Sequence, residues 1–516
     1  MRTIARARGG RGAGRTVGAL LAAPILLAAL FPPVALLAAP APSPAAAKPP
    51  AAAGPPAAAP GSDPRALTYA PLQIALPRPE TYALKNGLVV YLLRDTELPI
   101  VDLSFFVHAG AIYDPAEKAG LASLATHLMR TGGTRAQTPD QVDEALETLP
   151  AEIEISASSD AVSGSLSCIK SQFTPALKIL AGMLREPRFD EGRLEVEKAQ
   201  MVESIRRRWD DPGSIAAINF RNLIYGADSP WARLDTLETL DRIGREDLAA
   251  FHARYLTPGN VTMAVSGDFE PAEMKRLLKE TFGAWKGGRA ALPAVPKIRD
   301  TVSAGVSLIE RPLQQSSLAL GHLGITRFDP DKFPLFLLNY ILGEGDFSSR
   351  LMKEVRSNRG LAYSVGGGVG TDSDRGLFEI TSRTRANATV EAIQAIRDVV
   401  TRLRDEGPTD EEIRQAKEAR INSFAFTVDG SAAYMSSYLF YIYYGYPADY
   451  LQTWRDRLSA VTRDDVMRTA RRLLQPERMA ILVVGDPKKF DRPLDSLGLG
   501  APKVIRLAED APSPQR

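Results

Sequence analysis

The 516-residue chain is 45% apolar and 24% charged, which describes an ordinary globular protein with room for two or more domains. Its formal charge of +2 becomes −3 without residues 1–41, which carry five arginines and no acid, so no basic field remains for nucleic acid. The single cysteine, Cys168, cannot make an internal disulfide.

In the leader, Arg2, Arg6, Arg8, Arg11 and Arg15 precede an uncharged apolar run over residues 17–39, with small residues Ala38, Ala39 and Ala41 at its end. Basic, apolar and small-residue pieces in that order predict a secretory signal peptide over residues 1–41. The run is also long enough for an uncleaved membrane anchor, against which Pro24, Pro32 and Pro33 argue. Export places the chain in a periplasm if its source has two membranes, and otherwise at the outer face of a membrane. Residues 42–74 open on an almost pure Ala and Pro tract, a spacer that cannot bury a core.

Beyond the spacer lies an internal repeat. Residues 240–268 align without a gap on residues 458–486 at an offset of 218, and the same offset pairs Asp211 with Asp429. A period this long means duplicated domains rather than a solenoid. In the first copy, residues 88–93 and 101–108 read as strands, 119–129 and 139–149 as helices, and 153–171 as an alternating meander. Helices at 173–184, 193–208 and 216–225 follow, with a closing strand at 261–266. The second copy reads as strands 306–310 and 317–323, helices 333–342 and 349–358, and strands 362–370 and 377–384. Helices 390–404, 410–426 and 432–443 then lead to a closing strand at 480–484. The class is α+β: two homologous α/β sandwich domains at residues 75–286 and 304–505, a linker at 287–303 bearing Gly, Pro and Lys, and a tail at 506–516. In the meander, serines 163, 165 and 167 alternate with Val162, Gly164, Leu166 and Cys168, which puts the thiol on the apolar face as a buried structural group.

The stretch at residues 119–134, AGLASLATHLMRTGGT, carries the first candidate site. Leu121, Leu124, Ala125 and Leu128 recur at helical spacing, and Gly132 and Gly133 supply a stop. Ser123 and His127 therefore share one face, four residues apart, where a metal site would place two ligands. Only His127 binds zinc well. His108, His252 and His322 have no ligand spacing and read as structural.

Residues 107–134, 195–212 (EVEKAQMVESIRRRWDDP) and 348–365 (SSRLMKEVRSNRGLAYSV), in that order, resemble the pitrilysin/insulinase-type zinc metallopeptidases, in particular their short two-domain, processing-peptidase-like branch. Active members carry H-x-x-E-H, two histidine ligands and a general-base glutamate, with a third, glutamate ligand eight residues before a proline. The resemblance places Ser123 at the first histidine, Thr126 at the base, His127 at the second histidine and Ser204 at the third ligand. Three of the four are hydroxyl residues, which bind zinc poorly, so the resemblance is to the chain that lacks the zinc motif. A shifted site using His127 with Glu203, or Glu197 two turns earlier, is disfavoured because adjacent helix positions point about 100° apart.

In the second half Arg356 and Tyr363 match the family's Arg and Tyr pair, which hydrogen-bonds the scissile carbonyl of the substrate. Arg359 is the nearby alternative. GEGDF at residues 343–347 lacks the Lys and Ser/Thr of a phosphate loop and reads as a flexible or substrate-facing loop. Gly366 to Gly368 mark a strand bend or a close backbone approach. The aromatic run at residues 434–446 reads as a helix of core anchors, with a dimer contact as the other reading.

The resemblance implies a heterodimer in which this chain supplies Arg356 and Tyr363 to a zinc site on an H-x-x-E-H partner, acting on peptides or unfolded segments. It implies no zinc in this chain and zinc in the partner. The alternatives are a non-catalytic structural or binding protein of the same fold, and an independent zinc peptidase with a degenerate site.

Overall fold

The computed structural model describes residues 74–300 and 302–507; the leader and nearly all of the spacer lie outside the described residues. The first half runs β1 (Glu80–Ala83), β2 (Val89–Arg94), β3 (Ile100–Val107), α1 (Leu121–Thr131), α2 (Pro139–Thr148), β4 (Ala151–Ala157), β5 (Val162–Ile169), α3 (Phe173–Arg185), α4 (Glu191–Arg207), α5 (Pro212–Tyr225), α6 (Leu237–Asp241), α7 (Arg245–Tyr255), β6 (Val261–Gly267) and α8 (Pro271–Phe282). The second runs β7 (Gly305–Glu310), β8 (Gln315–Leu323), β9 (Ile325–Thr326), α9 (Lys332–Asn339), β10 (Ala362–Val369), β11 (Thr371–Asp372), β12 (Leu377–Arg385), α10 (Thr389–Glu406), α11 (Asp410–Thr427), α12 (Gly430–Tyr443), α13 (Tyr450–Ala460), α14 (Arg463–Leu473), β13 (Ala480–Gly485) and β14 (Lys503–Val504).

Each half builds one six-stranded sheet, ordered β1-β2-β6-β3-β5-β4 and β10-β12-β8-β13-β7-β14. Read from opposite ends, the orders coincide over five strands; the sixth differs, since β1 precedes β2 in the chain and pairs with it antiparallel, whereas β14 follows β13 and pairs with β7 in parallel. In both, the closing strand runs parallel to one neighbour (β6 with β2, β13 with β7) and antiparallel to the other (β6 with β3, β13 with β8). The offset of 218 is exact to the residue in two helices: Arg245–Tyr255 maps onto Arg463–Leu473, and Pro212–Tyr225 onto Gly430–Tyr443. Asp211 and Asp429 are the N-cap residues of the second pair.

Strand alternation explains the layers. In β3, Val101, Leu103, Phe105 and Val107 are buried and pack with α1 and α3, whereas Phe106 faces the other way. That second face is covered by a helix from the other half. Phe106 stacks on Tyr443 of α12 at 4.8 Å, His108 stacks on the same ring at 4.4 Å, and Tyr91 meets Tyr438 edge-on at 5.3 Å. The aromatic run is thus spent inside the chain: Tyr434, Tyr438, Tyr441, Tyr443 and Tyr446 are all buried, which corrects the dimer-contact reading for these rings. Reciprocally, Ile215, Phe220 and Ile224 of α5 form one core with Ile309, Ala319 and Leu482 of the second sheet. Each half lends the other a helix that is apolar on more than one face because it is covered on more than one side.

A polar seam crosses the same junction. Arg327 reaches Asp160 of the first half at 3.2 Å and Asp372 of the second at 3.5 Å, and its guanidinium lies 3.7 Å from the Tyr444 ring centroid. Among its described residues the segment between the halves has no helix or strand, yet Asp300 pins it to Arg375 at 3.2 Å and Arg478 at 2.6 Å.

Two readings need correction. The helix expected at 333–342 is α9 continued by a π turn at Tyr340–Glu344, and the one expected at 349–358 is largely π-helical, Met352–Asn358. The glycine loop is the physical reason for the first: Gly343 packs on the backbone of Gly367, where a Cβ would stand 2.4 Å from its carbonyl oxygen, so the chain widens its turn to make that approach. Among the described residues no helix is long and apolar enough to cross a membrane.

Candidate functional site

Helix α1 begins where the sequence forces it to. Gly120 has φ 100, and its backbone N–H, with that of Ala122, donates to the Asp114 carboxylate at 3.1 Å each. Burial pushes the Asp114 carboxyl up to about 7, outweighing those N–H groups and the Arg233 guanidinium, which lower it. A folded-state value above the unfolded one means that protons are taken up on folding between about pH 4 and 7. The Asp114 contribution to stability is therefore fullest below about pH 4 and falls as pH rises to about 7. Glu379, also pushed up to about 7 by burial, adds to the same slope. In urea titrations across that range, Asp114→Asn is expected to flatten the decline relative to the native chain; an unchanged slope would remove Asp114 from the account.

The antiparallel packing of α1 on α4 fixes the surroundings of His127. Thr131 donates to Glu197 at 3.0 Å, His127 Nδ1 lies 3.7 Å from the same carboxylate, and Gly120 sits beside Met201. Ser204 is seven residues beyond Glu197, two helical turns, and so shares its face of α4. Ser123, one turn before His127, lies toward that end of the pair. Glu203, beside Ser204, is exposed and pairs with Arg206 at 2.8 Å.

Thr126 is fully buried, and its hydroxyl donates to the carbonyls of Ala122 at 3.0 Å and Ser123 at 2.9 Å. A zinc ion needs three His, Cys or carboxylate ligands in a catalytic site. This place offers one imidazole, half exposed, one carboxylate already bound to Thr131, and hydroxyls. The donor set does not fit zinc. Among the described residues no group of three or more His, Cys, Asp or Glu is placed to hold a metal ion. The other histidines are structural: His252 Nε2 lies 2.9 Å from the Leu184 carbonyl and His322 Nδ1 2.8 Å from that of Leu323, both within a mainly apolar setting that lowers their pKa through burial.

Arg356 and Tyr363 come together. Tyr363 falls at a register shift between Ala362 and Ser364 in the pairing of β10 with β12, and the ring is 78% exposed. The Arg356 guanidinium lies 5.2 Å from its centroid and 4.8 Å from that of Phe347, 61% exposed. The alternative, Arg359, is engaged elsewhere: it pairs with Glu354 at 2.8 Å, and hydrogen bonds from Arg359 and Asn358 hold that carboxyl below its usual range. Among the described residues Arg356 has no ion pair, so its N–H edges remain available. Phe347 is the site residue that sequence reasoning missed; its only signal was its place at the end of GEGDF.

Residues 89–225 match the Insulinase (Peptidase family M16) family, and residues 242–420 match the Peptidase M16 inactive domain. Two sheet-bearing halves with these matches define an insulinase-type peptidase fold. The chain belongs to peptidase family M16, the insulinase family. It is 27% identical over 395 residues to an uncharacterized zinc protease of Streptomyces coelicolor, covering 74% of this chain and 84% of that one. An uncharacterized zinc protease of Bacillus subtilis is 25% identical over 357 residues, covering 69% and 86%. Among solved structures, a peptidase M16 inactive domain from Pseudomonas fluorescens aligns with TM-score 0.74 and 29% identity, covering 81% of this chain and 99% of that one. The periplasmic protease PqqL from Escherichia coli shares the fold at TM-score 0.70 and 14% identity, over 82% of this chain and 47% of that one.

Proposed function

We propose that this chain is the non-zinc-binding subunit of a heterodimeric, exported M16 peptidase. Arg356 and Tyr363 then complete the active site of a partner bearing H-x-x-E-H, which holds the zinc that activates water. The observation that carries this reading is the contrast between the two sites: hydroxyls stand where zinc ligands are needed, while Arg356 keeps its N–H groups unpaired beside the exposed Tyr363. As water adds to a peptide carbonyl, its oxygen gains negative charge. A guanidinium and a phenol donating to that oxygen stabilise the charge as it develops. The substrate is a peptide or unfolded segment, held between the two chains.

The test is reconstitution. Alone, the chain is expected to hold no stoichiometric zinc and to cleave nothing; mixed with an H-x-x-E-H chain co-purified from the exporting cell, it restores cleavage. Tyr363→Phe in the mixture is expected to reduce kcat about 10²-fold, the scale for removing one transition-state donor. Wild-type rates for that variant would leave a scaffold role. Tightly bound zinc with activity in the isolated chain would overturn the reading.

A further inference from the structure

We infer that Phe347 is a positioning residue that holds the Arg356 guanidinium for its part in peptide hydrolysis; this inference rests on the proposed function of Arg356 and Tyr363. A guanidinium has two faces and a rim of five N–H donors. Here the Phe347 and Tyr363 rings approach it at 4.8 and 5.2 Å, and no carboxylate binds the rim among the described residues. Arginine side chains lose about 2 kcal/mol of rotamer entropy when fixed, and an ordinary ion pair would fix one only by occupying its donors. Stacking restrains the group while leaving the donors for an incoming oxygen.

The loop that carries Phe347 is itself built. Asp346 sits at φ 48, in the left-handed region, and a short 3-10 turn at Asp346–Ser348 follows. The Ser348 hydroxyl bonds the Gly345 carbonyl, Ser349 Oγ donates to the Asp346 carbonyl at 2.7 Å, and Glu344 is paired with Arg420 of α11. An aromatic ring 61% exposed on a loop this constrained gains little from burial, so its geometry serves the group it stacks on. Two residues before Arg356, Glu354 is occupied by Arg359 and lies 3.6 Å from Arg402, which leaves that carboxylate engaged away from Arg356.

The test uses the full chain mixed with its zinc-bearing partner. Phe347→Ala is expected to lower kcat about tenfold, short of the 10²–10³-fold of deleting a donor outright, with KM within about twofold. Phe347→Tyr, which keeps the ring face, is expected to restore the rate, and Phe347→Leu, which keeps apolar bulk without it, is not. In the isolated chain labelled at arginine, the Arg356 Nε–H resonance is expected to lose its ring-current shift in Phe347→Ala, with the melting temperature unchanged. If the native mixture cleaves peptide and Phe347→Ala does so equally well, or if Leu rescues as well as Tyr, the inference is overturned while the proposed function stands. If the native mixture cleaves nothing, both fall together.

Discussion

Phe220→Ala is expected to destabilise the chain by about 3–5 kcal/mol, the range for emptying a fully buried phenylalanine site. Phe220 has no exposed surface, and it belongs to α5, a first-half helix whose apolar face lies in a core with Ile309, Ala319 and Leu482 of the second sheet. The cavity would open between halves rather than within one. The loss should therefore appear as a lower urea midpoint and as weaker hydrogen-exchange protection in β8 and β13, not only in α5 itself. A variant whose second-half strands keep native protection would show that the exchanged helix is an appendage. The exchange also bears on the site: Asp211, the N-cap of α5, binds Arg383 at 2.9 Å, and Arg383 pairs in register with Ser364, the residue after Tyr363. The element that joins the halves thus ends beside the strand that presents Tyr363.

The duplication was legible because it leaves a mark in one dimension: an ungapped offset of 218 that two helices keep at both ends. The alternation in β3 and β5 was equally plain, and Cys168 lies buried on the apolar face as its phase required. The exchange of α5 and α12 was not, since an apolar helix records that it is covered and not by which half. Helices α6, α7, α8, α13 and α14 escaped the sequence reading for a lesser reason. Met274, Leu278 and Phe282 do recur every fourth residue, but each helix lies in or close to a stronger signal, the linker for α8 and the repeat for the others. At the site, residue types laid on the family motif put hydroxyl residues where the resemblance expects zinc ligands. Phe347 could not be found that way. Its relation to Arg356 depends on the 3-10 turn at Asp346–Ser348 and the π-helical stretch Met352–Asn358, which bring the two together across nine residues of chain (356 − 347), and no periodic pattern encodes either.

Ser123→His combined with Ser204→Glu is expected to turn the chain into a zinc-binding protein, with about one zinc per chain after dialysis and neither single substitution sufficient. The helices are already disposed for it: α1 and α4 are antiparallel, His127 faces Glu197 at 3.7 Å, and Ser204 stands two turns along the same face of α4. With both changes the place would offer two imidazoles four residues apart on one helix and a carboxylate from the other, which is a three-ligand set with an open position. Adding Thr126→Glu is a different matter. Thr126 is fully buried with its hydroxyl satisfied by Ala122 and Ser123, so a carboxylate there costs several kcal/mol, of the order of 2–5, unless the helix shifts to expose it. The double variant should therefore bind metal without gaining a general base, and should still need a partner for hydrolysis. Metal analysis by mass spectrometry, alongside circular dichroism to establish that the variant folds, checks the result. A folded double variant that retains no zinc would mean that these positions do not converge, and with them would go the placement of the lost site on α1 and α4.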